Sequence, residues 1–377
     1  MPLPLRLPRA GFAGKGWRLA LLCLCLLGIS LRAGAMEKGL QDGWAVDDSD
    51  HLLLTPAAAR QMRESGARWV RLHFRLNARH RAWDEDLLRA YAEAVENLQR
   101  ERLAVLGLVT YESWPGSQSD WIANNHEVAG GSGDNAYLRG LARQAFPLLL
   151  RRFPSVRHWE IWNEPNAWTT NPPGSAEKLP GGFYIYPSNF AWLLRHAFEE
   201  SRRLSRPVTI VFGGILSADF TGNLDADIAA PYLRDTWKAG KAWAGWEGVR
   251  RRYRSWPVDG WGLHLYIKGG SRIQPEDLAP YPTAFAKLME ELEGRKTAKR
   301  IWITEIGWPT SNKPGSLSEA DQAANVTAAL VALRGVPAVG PVFWFKLHDE
   351  PAADLYFGLR RADDSPKPAW YTYQKAR

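Results

Sequence analysis

HWEIWNEPN, residues 158–166, carries two glutamates, Glu160 and Glu164, four positions apart in a run of Trp, Ile and Trp. The apolar content predicts a strand, and in an extended chain Glu160, Trp162 and Glu164 share one face, with the two glutamates about 13 Å apart at ~3.3 Å per residue. Two carboxylates that far apart cannot act as acid and base on one bond. Glu164 stands where the strand stops, because Pro165 holds its predecessor extended and removes a ladder donor. Glu160 lies lower, where an inward carboxylate needs a cation or hydrogen-bond donors. Arg71 is one such cation. A chemical partner for Glu164 must come from another strand.

Working outward, the same punctuation recurs. Thr55 and Pro56 begin a helix that runs through AAARQMRES to Gly66, and the strand WVRLHF follows. A helix through DEDLLRAYAEAVENLQRER shows Leu87, Leu88, Tyr91, Ala94, Val95 and Leu98 on one face, ahead of the strand LAVLGLV. Helices over 135–152 and 188–204 precede the strands WEIWN and VTIVF. A less regular helical stretch near 229–246 leads into GWGLHLY. Helices over 283–293 and 318–334 precede RIWITE and PVFWF. With a short first strand at GWAV, eight strands alternate with helices, which predicts a single-domain (β/α)8 barrel over residues 36–377. Functional side chains then sit at the C-terminal ends of strands. The long connections 112–134 and 165–187 carry Trp114, Trp121, Trp168, Phe183, Tyr184 and Tyr186 and are expected to wall a cleft there.

The first 35 residues differ in kind. Arg6, Arg9, Lys15, Arg18 and Arg32 surround the apolar LALLCLCLLGISL, and Ala33-Gly34-Ala35 closes the segment. This is the pattern of a secretory signal peptide, with an uncleaved inner-membrane anchor as the alternative. Export to the periplasm or beyond is expected. The segment holds both cysteines, so the rest of the chain has neither disulfide nor thiol chemistry. It also holds five of the 48 basic residues, leaving 43 against 40 acids. That near balance requires no nucleic acid, and RRRYR at Arg250–Arg254 reads as a solvated face. Of 19 tryptophans only Trp17 lies in the leader. Indole faces stack on sugar rings, so a carbohydrate partner gains weight. No linker or repeat divides the chain, and a monomer is expected.

The best partner for Glu164 is Glu305, which ends the apolar IWIT and precedes IGWPT. Glycoside cleavage needs two carboxyl groups flanking the anomeric carbon. WNEPN and WITEIGWP resemble the acid/base and nucleophile motifs of the retaining glycoside hydrolases of clan A, in the manner of families 39 and 5, where they end strands four and seven of a (β/α)8 barrel. The resemblance spans nearly all of residues 36–377. It implies that Glu164 is the acid/base, Glu305 the nucleophile, and Asn163 a contact to the sugar 2-hydroxyl. Strict alternation points Asn163 and Glu164 to opposite faces, so both reach a sugar only if the strand kinks at its end.

Other strand ends extend the site. His264 and Tyr266 resemble the H-x-Y of the clan's sixth strand, whose tyrosine bonds the nucleophile. Arg71 by resemblance keeps the nucleophile ionised, with a purely structural pair to Glu160 as the alternative. Trp344 resembles the tryptophan that floors the sugar subsite, and Trp308 of IGWPT joins the substrate-binding set. His73, Tyr111 and Trp114 stay open between substrate contact and packing. The eight histidines form no H-E-x-x-H-like ligand set, so neither metal nor cofactor is expected. The expected chemistry is double displacement on a polysaccharide, cut internally, with a bacterial exopolysaccharide or related β-glycan as substrate. A transglycosylase on the same residues and a catalytically silent carbohydrate-binding barrel are the alternatives.

Overall fold

In a computed structural model, the described residues are 36–376, except 117, 127–134, 171–177, 181–182, 217–225, 268–269 and 312–315. The leader therefore lies outside the described residues. Eight parallel strands close into a barrel: β1 (Lys38–Trp44), β2 (Trp69–His73), β3 (Ala104–Val109), β4 (His158–Asn163), β5 (Thr209–Leu216), β6 (Gly260–Leu265), β7 (Arg300–Ile306) and β8 (Val339–Phe345). Each pairs with its neighbours in sequence, and β8 pairs with β1. A separate two-stranded antiparallel ribbon, later in the chain than β4, joins Trp168–Thr170 to Lys178–Pro180. Among the described residues no helix is long and apolar enough to cross a membrane.

The helices start where the caps require. In α1 (Pro56–Glu64) Thr55 accepts from the Ala58 N–H, and in α2 (Glu85–Arg100) Asp84 accepts from the Leu87 N–H. Gly66 has φ +88°, the left-handed conformation that a glycine takes at least cost after a helix. The six apolar residues expected on one face of α2 are all buried. The helix expected over 135–152 is interrupted: Ala136–Gly140 leads through a π turn, Leu141–Ala145, into α3 (Phe146–Arg152). Pro147 has no N–H to give the preceding turn, so the ladder widens there.

Helices α4 (Pro187–Arg203), α7 (Pro280–Glu293) and α8 (Glu319–Arg334) agree with the pattern to within a few residues. Two expectations need correction. The first strand begins at Lys38 rather than at GWAV. Its opening residues have little strand propensity, but Gly39 lies where a Cβ would come 2.6 Å from the Phe343 ring, so only a glycine admits β8 at this pairing. The irregular stretch near 229–246 is really two helices, α5 (Ala226–Ala242) and α6 (Trp246–Tyr253), separated by a turn with Gly245 at φ +71°. Arg250, Arg251 and Arg252 lie exposed on α6, a solvated face. The chain closes with α9 (Pro368–Lys375).

The barrel interior is layered, as alternation of side chains demands. At the bottom Trp69, Leu106, Val211, Trp302 and Phe343 form a closed apolar plug, with Trp69 edge-on to Trp302 at 5.2 Å. One pleat higher lie Arg71, Glu160 and Thr304, all fully buried. Above them the strand ends open into a cleft. The outward-facing residues join the larger core between barrel and helices.

Candidate active site

The polar layer is organised by one guanidinium. Arg71 donates from Nε to Glu160 at 2.5 Å, from Nη1 to Glu305 at 2.7 Å, and from Nη2 to the side-chain oxygen of Asn163 at 2.7 Å. It thus serves both glutamates at once, and the sequence alternative between Glu160 and Glu305 dissolves. Glu160 also accepts from the Gly214 N–H at 2.8 Å and from Thr304 Oγ1 at 2.9 Å. Every requirement of a buried carboxylate is met by those donors.

Asn163 and Glu164 share the cleft because the chain kinks, earlier than Pro165 alone requires. Trp162 has φ +76° and Glu164 φ +43°. Such left-handed residues cost about 1–3 kcal/mol each, and surrounding contacts must hold them. Here Trp162 swings out of the barrel, packs against Trp121 at 4.8 Å and donates its indole N–H to the Phe183 carbonyl at 2.5 Å. It therefore does not share a face with Glu160. Beside it β5 offers two glycines. A Cβ on Gly213 would stand 2.6 Å from the carbonyls of Ile161 and Trp162, and one on Gly214 would stand 2.1 Å from His264 Nε2. The Glu164 N–H bonds the Gly214 carbonyl at 3.1 Å, which sets the carboxylate at the rim.

Glu164 and Glu305 then face one another. One oxygen of each, with a ring nitrogen of His264, lies within 4.8 Å of the others. His264 Nδ1 is 2.9 Å from Glu164 and 3.6 Å from Glu305. Tyr266 donates its hydroxyl to the second oxygen of Glu305 at 2.6 Å. Burial alone would push the Glu305 carboxyl up. The charges of His264 and Arg71 and the hydrogen bonds from Tyr266 and Arg71 outweigh it and hold the group below the usual range. Burial would lower His264, but Glu305 and Glu164 overcome that and raise it. Tyr266, buried and beside two carboxylates, is held far above the usual phenol range and stays a donor. Three such ligand atoms could also span a metal ion, but the Arg71 guanidinium already brings positive charge to Glu305.

The cleft measures about 270 Å³. Arg71, His73, Asn163, Glu164, Tyr266 and Glu305 line it, and His264 touches Glu164 from beneath. Four expected substrate contacts are not on its wall. Trp344 is 2% exposed and gives its indole N–H to the Phe357 carbonyl at 3.1 Å. Its register with Leu40 points it outward, while Phe345, paired with Gln41, points in and takes the wall position. Trp308 is fully buried on the Ile267 carbonyl at 2.8 Å. Tyr111 packs between Trp162 and Phe183, and Trp114 lies over Gly140, where a Cβ would be 2.2 Å from its ring. Trp344, Trp308 and Tyr111 are buried in packing, and Trp114 is half-buried. The sequence reading missed Gln41, Trp44, Glu112, Phe345, Leu355 and Phe357, which line the cleft. Phase along β8 carried a signal for Phe345, whereas Gln41 lay outside the expected first strand. Nothing local marks Leu355 or Phe357, which arrive from the segment after β8.

No protein-family model matches the sequence, and no curated protein sequence does. Solved structures do share the fold. A family 39 glycoside hydrolase from the gut symbiont Bacteroides cellulosilyticus WH2 aligns with TM-score 0.58 at 18% identity over 91% of this chain, which spans 63% of that protein's length. A GH5_18 protein from Streptomyces cattleya in complex with GlcNAc aligns with TM-score 0.59 at 16% identity, over 91% of this chain and 80% of that one. Xylanase 10B from Thermotoga petrophila RKU-1 in complex with xylobiose aligns with TM-score 0.57 at 16% identity, over 92% and 95%. At these identities the likeness is one of fold: the chain has the (β/α)8 barrel that these glycoside hydrolases have.

Proposed function

We propose that this protein is a retaining glycoside hydrolase that cleaves a polysaccharide by double displacement, with Glu305 as nucleophile and Glu164 as acid/base. The observation that carries the reading is the approach of the two carboxylates, with oxygens within 4.8 Å around one imidazole. Retaining enzymes hold their carboxyl groups about 5–5.5 Å apart, whereas inverting ones need roughly 6.5–9.5 Å to admit a water. The solved structures of like fold with bound GlcNAc and xylobiose support a sugar ligand.

In the first step an oxygen of ionised Glu305 attacks the anomeric carbon. The bond to the leaving oxygen breaks, and that oxygen takes a proton from Glu164. Arg71 and Tyr266 each occupy one Glu305 oxygen and so fix its direction. Esterification then removes the negative charge of Glu305. Glu164, now ionised and paired with His264 at 2.9 Å, takes a proton from water, whose oxygen attacks the anomeric carbon and frees Glu305. Asn163, anchored by Arg71, is placed to bind the sugar beside the breaking bond.

The substrate is a bacterial exopolysaccharide or related β-glycan cut internally. The leader at residues 1–35 directs the enzyme out of the cytoplasm, and the enzyme acts there as a monomer. A polysaccharide panel with product sizing and anomer detection by NMR tests this. Oligomers released with the anomeric configuration kept are expected. Inverted product, or undiminished turnover by Glu305→Gln, would refute it. An added acceptor glycan that captures most of the glycosyl groups would make the enzyme a transglycosylase on the same residues.

A further inference from the structure

Among the described residues three carboxylates line the cleft, and the chemistry above uses two. The third belongs to Glu112, on the single turn Tyr111–Ser113 that follows β3. Its backbone is fixed, with its N–H on Thr110 Oγ1 at 3.1 Å and its carbonyl accepting from the Leu76 N–H at 2.8 Å. Its carboxylate, by contrast, accepts no hydrogen bond among the described residues, although the side chain is only 27% exposed. The nearest ring nitrogen is His73 Nδ1 at 3.7 Å. Burial and the guanidinium of Arg71 drive His73 down to about 3, so it stands there neutral. Arg75, the cation whose charge acts on Glu112, is paired with Asp48 at 3.0 Å and stacked on Trp44 at 3.5 Å.

On the same side of the cleft, two strands away, stands Gln41. Its side-chain oxygen is buried without a hydrogen-bond partner. Buried polar atoms are almost always paired, so an unpaired one on a binding wall marks where a ligand supplies the partner. A second asymmetry concerns charge. The guanidinium in the cleft has all three arms committed, to Glu160, Glu305 and Asn163. A sugar carboxylate entering here would meet Glu112, Glu164 and Glu305, and among the described residues that line the cleft the committed Arg71 is the one guanidinium or ammonium.

Resting on the glycosidase reading, we propose that Gln41 and Glu112 form the specificity wall of the cleft: they receive hydroxyl or protonated amine groups of the sugar and exclude uronic acids. The substrate is thereby a neutral or amine-bearing glycan.

Binding tests the wall without turnover, on Glu164→Gln protein titrated with matched β-1,4 tetramers built of glucose, glucosamine or glucuronate. The glucuronate tetramer is expected to bind about tenfold or more weaker than the other two, the scale of one like-charge contact at a part-exposed site. Glu112→Gln should close that gap at least ~3-fold and weaken the glucosamine tetramer most. Gln41→Leu should weaken the neutral tetramer roughly fivefold, the worth of one hydrogen bond. Glucuronate binding equal to the neutral tetramer, wall variants that change nothing, or no binding by any tetramer overturns the proposal. Selective binding by a wild-type protein that hydrolyses nothing would sink the enzyme reading and leave the wall, whereas hydrolysis without selectivity would do the reverse.

Discussion

Replacing Glu160 by Gln tests whether one guanidinium is shared between two carboxylates. Arg71 donates to Glu160 at 2.5 Å and to Glu305 at 2.7 Å, so its charge is divided. Glu160→Gln removes one negative charge from the neighbourhood of Glu305 and leaves the whole of Arg71 to it. For charges roughly 6 Å apart at an effective dielectric near 20, the repulsion relieved is about 3 kcal/mol, an upper figure that corresponds to a fall of 1–2 pH units in the Glu305 ionisation. The acid limb of kcat/KM, which follows ionisation of the nucleophile, should move down by about that much. Carbon-13 NMR of labelled glutamates follows the same ionisation without a substrate. Folding should weaken by about 1.5–3 kcal/mol, since a charge-assisted bond is lost while the donors from Gly214 and Thr304 can stay. Arg71→Lys must act in the opposite sense, because an ammonium cannot reach three acceptors and Glu305 loses its nearest donor. An acid limb that stays still or rises in Glu160→Gln would refute the shared-charge account.

Further outcomes follow from the same geometry. Tyr266→Phe deletes one of two direct donors to Glu305 and should cost about 1.5–3 kcal/mol in the transition state, an order of magnitude or more in kcat, with the acid limb moving up. Gly214→Ala puts a methyl group 2.1 Å from His264 Nε2, so the ring must shift off Glu164; kcat should fall while circular dichroism stays that of a barrel. Glu164→Gln and Glu305→Gln should each cut hydrolysis by about 10²–10⁴ or more, with melting temperatures within a few degrees of wild type. His73 is held neutral down to about 3 when folded and takes a proton near 6.5 when unfolded. The unfolded state binds more protons between those values, so this contribution is intact above pH 6.5 and is lost as pH falls, by about 2 kcal/mol at pH 5. Urea titrations at pH 7 and pH 5 should show a smaller difference in His73→Gln than in wild type.

The alternation of capped helices and apolar runs was legible because helix starts, glycine stops and side-chain period are local properties of the chain. That local code carried seven of the eight strands closely, and it failed at β1, where pairing with β8 across Gly39 rather than propensity makes the strand. Glu164 and Glu305 could be picked out because each stands at the C-terminal end of an apolar strand, Glu164 ahead of Pro165 and Glu305 two residues ahead of Gly307. Trp344 and Trp308 could not be placed, since a tryptophan at a strand end looks the same whether its ring faces sugar or a packed helix. Only the closed barrel decided that Phe345 faces in and Trp344 out.

HWEIWNEPN divides the same way. By itself it separated Glu160 from Glu164 in height along the barrel, because spacing along one strand is fixed by the covalent chain. What the tertiary structure alone decided is how they are joined. Trp162 turns left-handed against Gly213 and Gly214 of β5, Asn163 swings inward, and Arg71 of β2 gathers Glu160, Asn163 and Glu305 from two other strands. A hydrogen bond to three groups from distant parts of the chain depends on barrel closure, and no local stretch of sequence encodes that closure.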